Sequence, residues 1–100
     1  MLPEVPDWAG PVWHLFVIGH PDRDACQATL QEQGIETLIH YPVPPHLSGA
    51  YSDLGMRRGS FPVTERLADA TLSLPLYPQL DPKRCAAVAE AVVQTLEASL

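Results

Sequence analysis

His40 and His46 bracket the segment His40-Tyr41-Pro42-Val43-Pro44-Pro45-His46. A loop held by three prolines loses little entropy when it binds something. Two imidazoles and a phenol suit hydrogen bonds to hydroxyl or phosphate oxygens. The competing reading is that the prolines only route the chain, with Tyr41 closing the core. His14 lies inside a strand-like run and reads as a hydrogen-bonded core or half-buried residue. His20 precedes a proline at a strand end and reads as solvated. His40 and His46 lack a third ligand at fixed spacing, so they do not form a zinc signature. Cys26 and Cys85 fall at expected inner helix positions, where a free Cys packs as a small apolar residue. Arg57 and Arg58 offer an anionic ligand two guanidinium groups, or form an ordinary solvated loop. Lys83, the single lysine, opens the last helix in a solvated position unsuited to a Schiff base. No glycine loop for phosphate and no acid–base carboxylate pair are visible. The residues alone contain no complete catalytic constellation.

The elements that must position these groups are punctuated by eleven prolines. Pro breaks helix interiors and central strands, so regular structure sits in the gaps between them. Residues 1–11 hold three prolines and no periodicity and read as an extended lead-in or linker. Val12 to Ile18 is apolar except for His14 and predicts a strand covered on both faces. Asp22 predicts an N-cap, Asp24 to Gln33 a helix with Cys26 and Leu30 inward, and Gly34 its C′ residue. Ile35 to Tyr41 alternates as a second strand. His46 to Leu54 predicts a short helix stopped by Gly55. Pro62 opens a helix running to about Ala70. Thr71 to Leu74 is a third strand, closed by Pro75. Asp81-Pro82 starts the last helix, with Cys85, Val88, Ala89, Val92 and Leu96 on one buried face. The order predicts a two-layer α+β domain over residues 12–100, with helices on a small, mainly antiparallel sheet of about three strands. Placing the third strand between the first two, antiparallel to both, satisfies the connection rules; an adjacent parallel pair is the other arrangement.

Composition narrows the class. One hundred residues hold one domain at most. Twelve acidic against six basic residues give a net charge of −6, which leaves no basic stripe for nucleic acid. Apolar runs such as Leu15 to Ile18 are far short of the ~20 residues of a membrane span. Two cysteines make no disulfide framework, and a reducing cytoplasm is the expected setting. Charged residues are only 18% of the chain, against about 25% in an average domain. Some apolar surface should therefore stay outside, and such a patch marks a partner.

At the proline loop the sequence resembles the C-terminal small domain of DegT/DnrJ/StrS-family nucleotide-sugar aminotransferases. The matching stretches are Trp13-His14-Leu15-Phe16-Val17-Ile18 and Gly34-Ile35-Glu36-Thr37-Leu38-Ile39-His40-Tyr41-Pro42, with Pro45-His46. Ala50-Tyr51, Leu54-Gly55, Gly59-Ser60-Phe61-Pro62-Val63-Thr64-Glu65 and Leu72-Ser73-Leu74-Pro75-Leu76-Tyr77-Pro78 follow in the family's order. The resemblance implies the small domain of a fold-type-I, pyridoxal-phosphate-dependent homodimer. In such an enzyme a large N-terminal domain carries the Schiff-base lysine and the main cofactor contacts. The reaction moves an amino group, usually from glutamate, onto a keto-sugar nucleotide, here resembling dTDP-3-keto-6-deoxyhexoses. His40, Tyr41 and His46 match the family's substrate-facing loop, so they are expected to bind substrate. Without the large domain and the second subunit, this chain is expected to hold no cofactor and to be inactive. The alternative is a non-enzymatic ligand-sensing or protein-interaction module on the same scaffold.

Overall fold

The computed structural model describes residues 1–98; the last two positions of the expected 12–100 domain lie outside the described residues. The elements run β1 (Phe16–Gly19), α1 (Arg23–Glu32), α2 (Pro62–Ala70), β2 (Thr71–Leu74) and α3 (Pro82–Ala98). Two 3₁₀ turns, Pro45–Leu47 and Gly49–Leu54, fill the interval between α1 and α2. The strands pair antiparallel, Phe16 opposite Leu74 and Ile18 opposite Leu72. Ile18 and Leu72 meet Cys26 and Leu30 of α1 and Ala91 and Val92 of α3 in one core. The result is a small α+β unit with helices packed on a two-stranded sheet.

The helix starts follow their local signals. Asp22 accepts a hydrogen bond from Ala25 N, and Gly34 ends the α1 region at φ 76°. Pro62 occupies the first turn of α2. Asp81 accepts from Lys83 N at 2.7 Å at the start of α3. The carbonyls at the end of α2 are also matched. Leu67 O accepts from Thr71 Oγ1, Ala68 O from Arg23 Nη1 at 3.0 Å, and Ala70 O from His20 N. The buried Arg23 also donates to Thr71 O at 3.2 Å. Its cation therefore sits at the negative end of the α2 dipole.

Several expectations are corrected. The strand forecast from Val12 begins only at Phe16. Trp13 sits at φ 48°, outside the β region, and Pro75 ends the partner strand. Val12 and His14 are exposed as a result, so His14 is not a core residue. His20 is buried rather than solvated, and its Nδ1 accepts from Asp22 N at 3.1 Å.

The strand forecast over Ile35 to Tyr41 shrinks to one antiparallel bridge, Leu38 to Ser73. The next rungs on β2 are closed on both sides. Pro75 has no N–H to give, while Thr71 N caps α2 at Leu67 O and Thr71 O is taken by Arg23. β2 nonetheless lies between β1 and Leu38, antiparallel to both. This is the first of the two arrangements that the connection rules left open.

The forecast helix from His46 to Leu54 is two 3₁₀ turns joined at Ser48, and the second is kinked inside at Tyr51, whose φ of −120° is non-helical. The buried face of α3 is rotated from the expected one. Ala91, Val92 and Thr95 are buried, Val88 and Leu96 are half-buried, and Cys85 and Ala89 are exposed. The buried residues of α3 begin at Ala91, and before it only Val88 packs against the core. The lead-in carries one tether: Met1 exchanges two backbone hydrogen bonds with Gly19, at 2.7 and 2.8 Å. No helix among the described residues is long and apolar enough to cross a membrane.

Candidate functional site

The segment from His40 to His46 crosses the surface between β2 and α2, and each end is fixed by an imidazole. His40 Nδ1 lies 2.8 Å from Ser73 Oγ on the central strand. His46 Nε2 lies 2.8 Å from Glu65 Oε1 in the first turn of α2. Both side chains of the second pair are almost fully enclosed. Between these anchors the chain carries Pro42, Pro44 and Pro45, and the Tyr41 side chain projects outward, 75% exposed.

Two shallow grooves flank this segment. His40 and Tyr41 line the first, of ≈ 440 Å³, together with Val43, Pro45, Thr64 and Leu67. His46 lines the second, of ≈ 320 Å³, with Tyr51, Leu54, Met56 and Phe61. Pro45 and Thr64 border both. The fold thus brings His40 and Tyr41 together and sets His46 on the far side of the Pro45 wall. Chemically, the first groove offers an imidazole, a phenol and an apolar floor. That combination suits a ligand with hydroxyl groups and apolar faces.

Glu65 ends the stretch Gly59-Ser60-Phe61-Pro62-Val63-Thr64-Glu65, and nothing in the sequence marks a role for it. It is only 5% exposed. Its carboxylate accepts from Gly59 N at 2.7 and 2.9 Å, from Phe61 N at 3.2 Å and from His46 Nε2. Gly59 stands at φ 98°, a conformation that favours glycine. The His46 ring meets the Phe61 ring edge-on at 4.9 Å. An acidic residue in a first helical turn is an ordinary helix-start signal, and its spacing does not reveal that this one is enclosed.

The Gly59 N–H, shared between both carboxylate oxygens, holds the Glu65 carboxyl below its usual value against the upward push of burial, and His46 and Phe61 add to the lowering. A depressed carboxyl stabilises the fold fully above its unfolded value, and the contribution is lost as pH falls through the folded value. Glu65→Gln should therefore melt well below wild type at pH 6, with the gap closing towards pH 3. Thermal scans at both pH values check this; a gap independent of pH would refute it.

The other candidates hold ordinary positions. Arg58 forms a bidentate, exposed pair with Asp69 at 2.7 and 3.0 Å, which keeps that carboxyl low. Cys26 is buried, and burial pushes its thiol up, as packing rather than nucleophilic use requires. Among the described residues no three His, Cys, Asp or Glu side chains are grouped to hold a metal ion.

Residues 1–93 match the DegT/DnrJ/EryC1/StrS aminotransferase family. The chain is 50% identical over 97 residues to the erythromycin biosynthesis sensory transduction protein EryC1 of Saccharopolyspora erythraea, covering 97% of this chain and 25% of that protein. It is 45% identical over 91 residues to a dTDP-3-amino-3,6-dideoxy-alpha-D-galactopyranose transaminase of Aneurinibacillus thermoaerophilus, covering 91% and 24% respectively. The crystal structure of S. venezuelae DesV in complex with a ketimine intermediate superposes with a TM-score of 0.86 at 43% identity, over 91% of this chain and 24% of that one. Bacillus subtilis NtdA with bound cofactor PMP superposes at 0.78 and 29% identity, over 96% and 22%. The chain thus spans about a quarter of the length of the relatives it matches.

Proposed function

Because the chain belongs to the DegT/DnrJ/EryC1/StrS aminotransferase family, we propose that it is the C-terminal small domain of a pyridoxal-phosphate-dependent nucleotide-sugar aminotransferase. The parent transfers an amino group from glutamate to a keto-sugar nucleotide, a dTDP-3-keto-6-deoxyhexose, in the cytoplasm. The observation that carries this reading is the family match over residues 1–93. The transaminase name of the A. thermoaerophilus relative supports the substrate class.

The chain's own residues do not fit the cofactor. Its single lysine, Lys83, is exposed at the start of α3 and lines neither groove beside the histidines. The cofactor, its lysine and the chemistry of amino transfer are therefore assigned to a large N-terminal domain and to the homodimer interface. This chain alone is inactive. Its exposed Trp8, Tyr41, Val43, Leu54, Phe61 and Val63 are surface that the remainder of such an enzyme would cover.

The role left to this chain is substrate contact by His40, Tyr41 and His46. The imidazoles and phenol meet hydroxyl or phosphate oxygens of the nucleotide sugar, and the prolines keep the loop in place before binding. In the full-length parent, His40→Ala or His46→Ala should raise KM for the keto-sugar about tenfold, the value of one hydrogen bond. KM for glutamate should stay unchanged. Steady-state kinetics with both substrates check this, and equal KM values in variant and wild type would refute the loop's role. A parent that moves no amino group to any keto-sugar nucleotide would refute the functional reading itself.

A further inference from the structure

Glu65 and the Gly59-to-Glu65 stretch have no part in the function proposed so far, yet Glu65 is the most heavily bonded side chain beside the grooves. Enclosing a carboxylate costs several kcal/mol unless its lone pairs are matched. Here its donors are Gly59 N, Phe61 N and His46 Nε2, and two of the three residues, Phe61 and His46, line the second groove. The carboxylate accepts only, so the imidazole must donate, and Nε2 carries the proton. Nδ1 is then the remaining polar atom of the ring. Among the described residues no buried side-chain nitrogen or oxygen lacks a partner. Among the described residues His46 Nδ1 has no hydrogen-bond partner, so it is not fully enclosed, and His46 lines the groove with Tyr51, Leu54 and Phe61.

We propose that Glu65 is a positioning residue: it fixes His46 as the Nε2–H tautomer, so that Nδ1 is presented as a hydrogen-bond acceptor to a hydroxyl of the sugar substrate. This rests on the functional reading above and deepens it, because it assigns His46 the role of acceptor rather than donor. The same carboxylate ties the 57–61 turn to α2, so the Phe61 wall and the His46 acceptor are set by one group. At the other end of the loop Ser73 Oγ holds His40 Nδ1 at 2.8 Å, but a hydroxyl both donates and accepts and so selects no tautomer.

The test has two arms. In this chain, long-range ¹H–¹⁵N spectra at a pH where the ring is neutral should show His46 protonated on Nε2 in the wild type. A mixture of tautomers should appear in Glu65→Ala. A wild-type ring protonated on Nδ1 would overturn the proposal. In the parent, Glu65→Ala should raise KM for the keto-sugar about tenfold, change kcat less than twofold and leave KM for glutamate alone. Glu65→Gln, which keeps an acceptor oxygen, should recover part of the loss; it also serves if Glu65→Ala does not fold. Unchanged KM in whichever variant folds, or equal losses for both substrates, would overturn the proposal. If the wild-type parent transfers no amino group, the functional reading falls, and the spectra still decide the tautomer.

Discussion

Val92→Asp is expected to leave this chain without a cooperative thermal transition at 25 °C. Val92 is 6% exposed and sits in the core with Ile18, Leu30 and Leu72. The substitution forfeits about 1.5–3 kcal/mol of apolar burial. It also encloses a carboxylate with no matching donor, at several kcal/mol more. A domain of this size has only about 5–15 kcal/mol of stability in total. The neighbouring Val93 is 52% exposed on the opposite side of α3. Val93→Asp should therefore stay within a few degrees of the wild-type Tm. Circular dichroism melts of the two variants side by side decide the matter, and two similar melts would mean that the buried face of α3 is misassigned.

Arg23→Met should be the next most damaging change. The buried guanidinium donates to Ala68 O and Thr71 O. Losing two charge-assisted hydrogen bonds costs about 3 kcal/mol. For a chain of this length that is a fall in Tm of roughly 10–20 °C. Arg23→Lys keeps the charge near the end of α2 but not the two-pronged reach, so it should fall between the two. A methionine variant that melts with the wild type would show that Arg23 contributes nothing to the junction of α2 and β2.

The first expectation turns on a residue whose local role was partly legible in the sequence, the second on one whose role was not. Val92 is on the forecast buried face, but the face itself is rotated. Cys85 and Ala89 have the spacing of inward residues and are exposed, because periodicity records which residues share a side, not which of them meet a partner element. Arg23 carried no sign of burial. Its partners are 45 and 48 residues away, a separation that no window of local pattern spans. The forecast strand over Ile35 to Tyr41 has proper alternation, yet its partner strand had already committed Thr71 to α2 and ended at Pro75.

By itself the sequence determined the start of each α-helix, the extent of β2, the loop that carries His40, Tyr41 and His46, and the resemblance to an aminotransferase family. These depend on caps, prolines, glycines and ordered motifs, all of which act over a few residues. Tertiary structure alone decided that Leu38 forms a single bridge, that His20 is buried, and that His46 is held by Glu65. Each of those outcomes is a competition for backbone or side-chain partners between segments distant in the chain. Such a competition is settled only when the elements are packed together.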